Sequence, residues 1–343
     1  MRIFVLPAVI GVCALLAIAM LTLPGWDRPP AQSVQKGYRG LGMVQVDNPR
    51  TQAKLAAVNQ VPEEPWPLEV ADPETTAADI YENVPVLGHL PAEQFDRLMA
   101  AVTEWVSPEQ GCEYCHNAQN YAEEGLYTKT VSRLMFQMTQ YVNAEWSENH
   151  VAPSGVTCYT CHRGQPVPQY IWFEQPVETG GGFAGNRTGQ NMPGYEVAFA
   201  SLPNDPFTPF LDGDQNIRVI PTNALPVDQV QLLTKQGEWT YGLMMHVSDG
   251  LGVNCTYCHN TRSFFAWDQS TPQRTNAWYG IRMVRELNNS FLGPLQPVYP
   301  PNRLGPTGDA PKANCTTCHQ GVPKPLLGQP MLAAYPGLAA PAE

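Results

Sequence analysis

Eight of the nine cysteines in this 343-residue chain occur in four copies of one pattern, in which two cysteines enclose two residues and a histidine follows. Two thiols at this spacing share one face of a helical turn. The pattern is the attachment site of c-type haem, where the thiols form thioethers to the porphyrin and the histidine binds the iron. A zinc site built from cysteine pairs gives no reason for a histidine in every copy. The sequence therefore predicts four covalent haem c groups, at Cys112/Cys115/His116, Cys158/Cys161/His162, Cys255/Cys258/His259 and Cys315/Cys318/His319.

The second axial ligand of each iron separates electron transfer from catalysis, because an iron with two strong protein ligands has no position open to a substrate. A methionine opposite the histidine also raises the redox potential. Met99, Met135 and Met244 lie upstream of the first, second and third motifs, on apolar faces of predicted helices. Methionine is otherwise an ordinary filler of apolar cores, and Met138 and Met245 are neighbouring candidates. With a haem motif downstream in each case, the pattern favours ligation by the first three.

The fourth motif has two candidates for its second ligand. Repeat symmetry aligns Met283 with Met135, which makes Met283 one choice. His150 is the other, a lone histidine after a helix with no evident role in a core. The spacing alone leaves both alternatives open.

Helices must position these residues. Charged residues make up 15% of the chain, and it contains 34 prolines and 28 glycines, so regular elements are expected to be short and interrupted. Four stretches nevertheless show apolar residues at helical spacing. They are 95–106, which Pro108 and Gly111 end; 131–142; a stretch that ends near Asp249; and one that begins with Thr271 as N-cap and Pro272 in the first turn.

The order of motif, helix and motif occurs twice, in 112–162 and again in 255–319. The predicted fold is therefore mainly α with extensive irregular loops, a multihaem cytochrome c with two pseudo-twofold-related dihaem halves and an N-terminal transmembrane helix. A glycine run at 180–182 follows no predicted strand, which argues against a phosphate-binding loop. The predicted segments are an anchor at 1–23, an extended arm at 24–88, a first dihaem half at 89–175, a connection at 176–227, and a second dihaem half with the tail at 228–343.

Residues 3–23 carry no charge, which is enough apolar chain to cross a bilayer. We therefore expect an uncleaved transmembrane anchor and an exported body. The alternatives are a cleaved signal peptide, because Ala17-Ile18-Ala19 resembles a cleavage site, and a lipid on Cys13, which the bulky Val12 before it disfavours. The net charge of −11 argues against a nucleic acid partner.

Several local stretches resemble the tetrahaem cytochrome subunit of purple bacterial photosynthetic reaction centres, from about Gly37 to Tyr335. The four motifs by themselves are shared with other cytochromes, whereas these flanking stretches in this order are specific. They are Gly37-Tyr38-Arg39-Gly40, Thr103-Glu104-Trp105-Val106-Ser107-Pro108, the run 155–164 around the second motif, Asp205-Pro206-Phe207-Thr208, Leu243-Met244-Met245 and Ser270-Thr271-Pro272-Gln273-Arg274.

The resemblance implies three haems with histidine and methionine ligands and a fourth with two histidines, which favours His150 over Met283. It also implies a near-linear row in which the haem of the third motif lies nearest the bacteriochlorophyll special pair. Arg274 matches an arginine beside that haem, where a positive charge raises the potential; the alternative is a surface arginine. His246 is not a ligand in the family, and we interpret it as a surface residue or one behind the ligands. The implied ligand pairs are Met99 with His116, Met135 with His162, Met244 with His259, and His150 with His319.

The resemblance implies an electron carrier subunit rather than an enzyme. It would accept electrons from a soluble cytochrome c or high-potential iron–sulfur protein and pass them to the special pair on the core subunits L and M. It would lie on the periplasmic face of the inner, photosynthetic membrane. The acidic surface would attract a basic carrier. The alternatives are a membrane-anchored multihaem conduit to another partner, or a multihaem reductase, which needs one iron with an open position.

Overall fold

The computed structural model describes residues 5–22, 31–35, 43–176, 194–203, 205–219 and 234–339. Within these ranges the chain is mainly helical with long irregular connections, as predicted. The α-helices are α1 (Val5–Thr22), α2 (Pro49–Val58), α3 (Ala77–Ile80), α4 (Ala92–Val106), α5 (Tyr127–Glu145), α6 (Cys158–His162), α7 (Thr234–Leu251), α8 (Pro272–Leu287) and α9 (Cys315–His319), and the strands are β1 (Gln32–Gln35) and β2 (Val44–Asp47). Turns of π-helix occur at Ser147–Val151, Thr208–Asp212 and Asn288–Leu292, and 3₁₀ turns at Gly111–Tyr114, Tyr195–Val197, Cys255–Tyr257, Gly293–Leu295, Pro301–Arg303, Pro325–Gly328, Leu332–Ala334 and Pro336–Leu338.

The four helices predicted from apolar spacing are α4, α5, α7 and α8. Helix α4 ends at Val106, before Pro108, because proline has no N–H to continue the hydrogen-bond ladder. Helix α8 begins after Thr271, whose extended backbone makes it the N-cap, and Pro272 takes the first helical position. All four predictions are confirmed.

The segment predicted as an extended arm contains local structure. Strands β1 and β2 pair in antiparallel fashion, with Gln32 opposite Asp47. Helix α2 follows at once, and the Asn48 side chain caps it by accepting a hydrogen bond from the Arg50 N–H. The periodicity missed this helix because none of its residues is buried. The glycine run at 180–182, half of the 176–227 connection and the stretch 37–40 lie outside the described residues.

The apolar N-terminal segment forms α1, along which large side chains such as Ile10, Leu15 and Leu21 are exposed. Among the described residues, however, we find no helix with the length and apolar character needed to cross a bilayer. The predicted transmembrane anchor is therefore not confirmed.

Two apolar cores lie beneath the motif helices. The first joins α4, Phe136 of α5 and the C-terminal Tyr335 and Leu338, and Cys158 packs against it. The second joins α5, α7 and α8 through residues such as Leu243 and Val284, and Cys315 packs against that core. The second and fourth motifs are thus each supported by a separate core.

A buried arginine on α4 joins distant parts of the chain. The Arg97 side chain is almost fully buried and forms an ion pair with Glu64. It donates to the carbonyl of Trp66 at 2.7 Å and to that of Ala334 at 2.5 Å, and its guanidinium lies 4.4 Å from the centre of the Tyr335 ring. The N-terminal segment and the C-terminal tail are therefore both fixed to the helix that leads into the first motif.

Candidate haem-binding sites

The four motifs adopt two local conformations. The first and third begin in 3₁₀ turns, Gly111–Tyr114 and Cys255–Tyr257. The second and fourth are the single-turn helices α6 and α9, each opened by a capping box and closed by a left-handed residue, Arg163 or Gln320. Among the described residues, none of the eight motif cysteines is paired in a disulfide, so each is available for a thioether bond.

Every motif histidine is oriented by a hydrogen bond to a main-chain carbonyl. An imidazole that donates from Nδ1 to a carbonyl leaves Nε2 free for a metal, and this second contact fixes the ring. The arrangement therefore fits a haem iron at each motif. The bonds run from Nδ1 of His116 to Tyr121 (3.0 Å), of His162 to Gln165 (2.9 Å), of His259 to Phe264 (2.9 Å) and of His319 to Val322 (3.0 Å).

The local supports of the motifs also recur in pairs. A threonine at the start of the following helix donates to the carbonyl two residues before the histidine, from Thr128 to Tyr114 at 2.5 Å and from Thr271 to Tyr257 at 2.6 Å. These bonds fix the first motif to α5 and the third motif to α8.

An asparagine holds the residue two places before each of the other motifs. Asn143 of α5 accepts from the Val156 N–H at 2.8 Å and donates to the Val156 carbonyl at 2.9 Å. Asn288, at the end of α8, makes the same two bonds with Ala313, at 2.8 and 3.1 Å. Sequence reasoning missed both asparagines, since no fixed spacing links them to a motif and only the folded chain brings them together.

His150 and His319 face each other, with ring centres 6.1 Å apart and planes at 70°. An iron between two imidazole nitrogens needs ring centres about 6 Å apart, given metal–nitrogen distances of about 2 Å. His150 donates from Nδ1 to the carbonyl of Asn276 at 2.9 Å, so its Nε2 is free as well. The pair therefore fits one iron with two histidine ligands. Met283, the alternative candidate, lies buried in the second core.

Burial favours the neutral form of four histidines at these sites. It lowers the pKa of His150, His162 and His259, and lowers that of His319 to about 4. The neutral form is the one that binds a metal, because protonation occupies the ligand nitrogen. The electrostatics of the sites therefore agree with iron ligation.

The three predicted methionine ligands lie on α4, α5 and α7, each partly buried. Thr103 donates to the Met99 carbonyl at 2.9 Å and Thr139 to the Met135 carbonyl at 2.8 Å, within their own helices. Met244 packs against the second core. No described contact joins these sulfurs to the motif histidines, and ligation by the three methionines stays a prediction.

Arg274 lies beside the third motif. Its guanidinium donates to the Ser270 hydroxyl at 2.7 Å and to the Ala266 carbonyl at 3.0 Å, and it stacks 4.2 Å from the centre of the Trp267 ring. Its charge acts to lower the pKa of the Cys258 thiol, although burial, the larger effect, raises that pKa to about 11. The predicted placement of a positive charge at this motif agrees with these contacts.

His246 differs from the surface interpretation, because only 2% of it is exposed. Its ring lies edge-on to Phe207, with centres 4.6 Å apart, and its Nε2 has no partner among the described residues. Burial lowers its pKa to about 3. It is a buried residue on α7, behind the fourth motif.

The second and fourth motifs meet directly. Helix α6 packs against α9, and the neighbouring Cys318 thiol raises the pKa of Cys161. Helix α4, which leads into the first motif, packs against α6, and α7, which leads into the third, packs against α9. Sequence order does not reveal this arrangement, since 157 positions separate the two thiols.

Comparisons with known proteins agree with this geometry. A family model described as the photosynthetic reaction centre cytochrome C subunit matches residues 27–339. This chain is similar to three bacterial proteins that are each named photosynthetic reaction center cytochrome c subunit. The identity is 53% over 322 residues in Rubrivivax gelatinosus (strain NBRC 100245 / IL144), covering 93% of this chain and 87% of that protein. It is 48% over 326 residues in Thermochromatium tepidum, covering 95% and 79%, and 40% over 351 residues in Roseobacter denitrificans (strain ATCC 33942 / OCh 114), covering 98% and 92%.

The family model and the named relatives match most of the chain, and all four motif histidines are oriented for iron. These findings together identify the family. The chain belongs to the photosynthetic reaction centre cytochrome c subunit family, whose members carry covalently bound haem c.

Proposed function

We propose that this chain conducts electrons one at a time through four covalently bound haems to the photo-oxidised bacteriochlorophyll pair of a reaction centre. The four attachment motifs, each with a histidine held by a main-chain carbonyl, carry this proposal. The haems supply the one-electron chemistry when bound, and the protein supplies ligands, burial and spacing.

The proposed ligands close every iron to substrate, in keeping with a carrier rather than an enzyme. The facing rings of His150 and His319 support the two-histidine site. The proposed pairs are Met99 with His116, Met135 with His162, Met244 with His259, and His150 with His319.

We further propose two dihaem halves, 89–175 and 228–343, related by a pseudo-twofold axis between the second and fourth motifs. The paired threonine and asparagine contacts support this relation, since each half repeats the same bonds at the same places. Because α6 contacts α9 while α4 and α7 lie on either side, the haems follow the spatial order first, second, fourth, third motif.

The proposed partners are the core subunits L and M at the third-motif end and a soluble donor, a cytochrome c or high-potential iron–sulfur protein, at the other end. Arg274 is the residue we assign to raising the potential at the third motif. The proposed location is the periplasmic face of the photosynthetic membrane, and the exposed apolar side chains of α1 support attachment there. The net charge of −11 favours a basic donor, whose encounter should weaken with salt.

Flash spectroscopy on native membranes tests the function. We expect haem α-band oxidation on the millisecond timescale, matched in amplitude and rate by re-reduction of the special pair. A special pair that is photo-oxidised while no haem responds would refute the proposal.

Haem counting tests the number of sites independently of photochemistry. The pyridine haemochromogen assay should give four haems per chain. Cys318→Ala should remove one thioether bond, measured by mass spectrometry of the haem peptide, whereas Cys13→Ala, outside every motif, should change nothing. A wild-type count other than four would contradict the proposed set.

A further inference from the structure

The helices α5 and α8 are held against the motif that follows them by equivalent asparagines. Besides the paired bonds to Val156 or Ala313, each asparagine donates to one more distant carbonyl, Asn143 to Leu338 at 2.7 Å and Asn288 to Leu211 at 2.8 Å. Each asparagine therefore fixes the height and rotation of its helix relative to the motif. Positions counted back from the asparagine correspond between the two helices.

Met135 lies eight residues before Asn143, and Gly280 lies eight residues before Asn288. Eight residues span about 12 Å of helix, so both positions stand at the same height and on the same face. Fifteen positions separate Thr128 from Asn143 and seventeen separate Thr271 from Asn288, so the helix starts do not share this register. The asparagine bonds join each helix to the motif that follows it, so the asparagine sets the register between that helix and that motif.

This correspondence corrects the repeat alignment made from sequence. Counted from the asparagines, Met283 matches Met138 rather than Met135, and both pack in the second core. The second half therefore has no methionine at the position of Met135.

Gly280 faces the ring of His150. A Cβ added at Gly280 would lie 2.6 Å from Cε1 of His150 and 3.1 Å from each ring nitrogen, and a contact of 2.6 Å is too close for carbon atoms. The His150 ring donates a hydrogen bond to the carbonyl of Asn276, one helical turn before Gly280. This bond holds the ring against the main chain of Gly280. His150 enters from the π-helical turn Ser147–Val151, which packs on α8.

We propose that Gly280 determines the ligand of the fourth haem. Because Gly280 has no side chain, the space that corresponds to the Met135 side chain is open in the second half. The His150 ring occupies this space. The inference rests on the proposed haem ligation and adds a residue that selects between the two ligand types. Since methionine opposite histidine raises the potential of a haem relative to a second histidine, Gly280 also sets the fourth site at lower potential than its counterpart.

Gly280→Ala in the holoprotein tests this. The added Cβ must displace His150, so we expect the two-histidine signal of one haem in four to be lost, measured by electron paramagnetic resonance and near-infrared magnetic circular dichroism. Gly237→Ala on α7 is the matched control, because its Cβ meets nothing within 4 Å and it also adds one methyl group to a helix. An unchanged two-histidine signal in Gly280→Ala would overturn the proposal.

The double variant His150→Ala with Gly280→Met covers the case in which Gly280→Ala does not assemble. It removes the ring and places a thioether at the Met135-equivalent position, so one haem should gain the methionine-to-iron charge-transfer band and a more positive midpoint potential. If the double variant holds four haems and this band is no stronger than in the wild type, the role of Gly280 is refuted.

The haem count and the spectrum of the wild type distinguish a failure of the proposed function from a failure of the role of Gly280. A wild-type protein with fewer than four haems would refute the proposed function. Four haems with no two-histidine signal would instead overturn the assignment of His150 and, with it, the role of Gly280.

Discussion

Asn288→Ala is expected to destabilise the chain around the fourth motif strongly. Asn288 is 1% exposed and makes three hydrogen bonds with main-chain groups, two to Ala313 and one to Leu211. Alanine makes none of them, and water does not reach the position. The Ala313 carbonyl keeps a second donor, the indole N–H of Trp172 at 2.9 Å. The variant therefore leaves two main-chain groups without their partner, the Ala313 N–H and the Leu211 carbonyl.

The magnitude follows from those two groups. Each buried polar group left without a partner costs about 1–3 kcal/mol, so the free energy of unfolding should fall by about 2–6 kcal/mol. Asn143→Ala should cost a similar amount, because it removes the equivalent bonds from the Val156 segment. The neighbouring Asn289 is the control. It also donates to main-chain carbonyls, at 2.8 and 3.0 Å, but it is exposed and water can replace those bonds, so Asn289→Ala should cost about 1 kcal/mol or less.

Denaturant unfolding of the purified holoprotein, followed by far-ultraviolet circular dichroism and by the Soret band, measures these differences. In Asn288→Ala the Soret change should come at lower denaturant than in Asn289→Ala, since the lost contacts hold the chain leading into Cys315. If the two alanine variants unfold within about 0.5 kcal/mol of each other, the bonds of Asn288 are not the support that we infer.

Two further predictions concern buried charge. Burial holds the pKa of His246 at about 3, against an ordinary value of 6.5, so between these pH values the unfolded chain binds a proton that the folded chain does not. The contribution of neutral His246 to the free energy of unfolding is therefore fully present above pH 6.5. It decreases as the pH falls toward 3, with a slope of up to about 1.4 kcal/mol per pH unit. Unfolding free energies measured at several pH values should show this slope in the wild type and a smaller one in His246→Leu, and equal slopes would contradict it. Lys312 is 5% exposed and pairs with Asp309 at 2.7 Å and Glu174 at 3.2 Å, so Lys312→Met should lower the free energy of unfolding by about 2–3 kcal/mol. The exposed Lys324→Met is the control, and similar denaturation midpoints for the two variants would refute this role of the ion pairs.

Local sequence was sufficient to predict the attachment chemistry and the main helices. Cys-x-x-Cys-His is a contiguous pattern, and the helix start at Thr271-Pro272 depends on the conformations of those two residues alone. The predictions were less complete where burial matters. Helix α2 was missed because it buries none of its residues. Of the two alternatives for His246, the surface position is wrong and the position behind the ligands agrees with its burial, in which it packs against Phe207, far away in the chain.

The sequence by itself determined that this protein binds haem c, since thiol spacing and the adjacent histidine are covalent and local requirements. It also narrowed the second axial ligand of the proposed fourth haem to two residues, His150 and Met283. Only the tertiary structure decided what surrounds His319, because the contacts join residues far apart in the chain. Asn288 sets the register of α8, that register places Gly280 opposite His150, and the missing side chain admits the ring that faces His319. A glycine has no sequence signature for such a role, since what matters is the space that the folded chain leaves beside it.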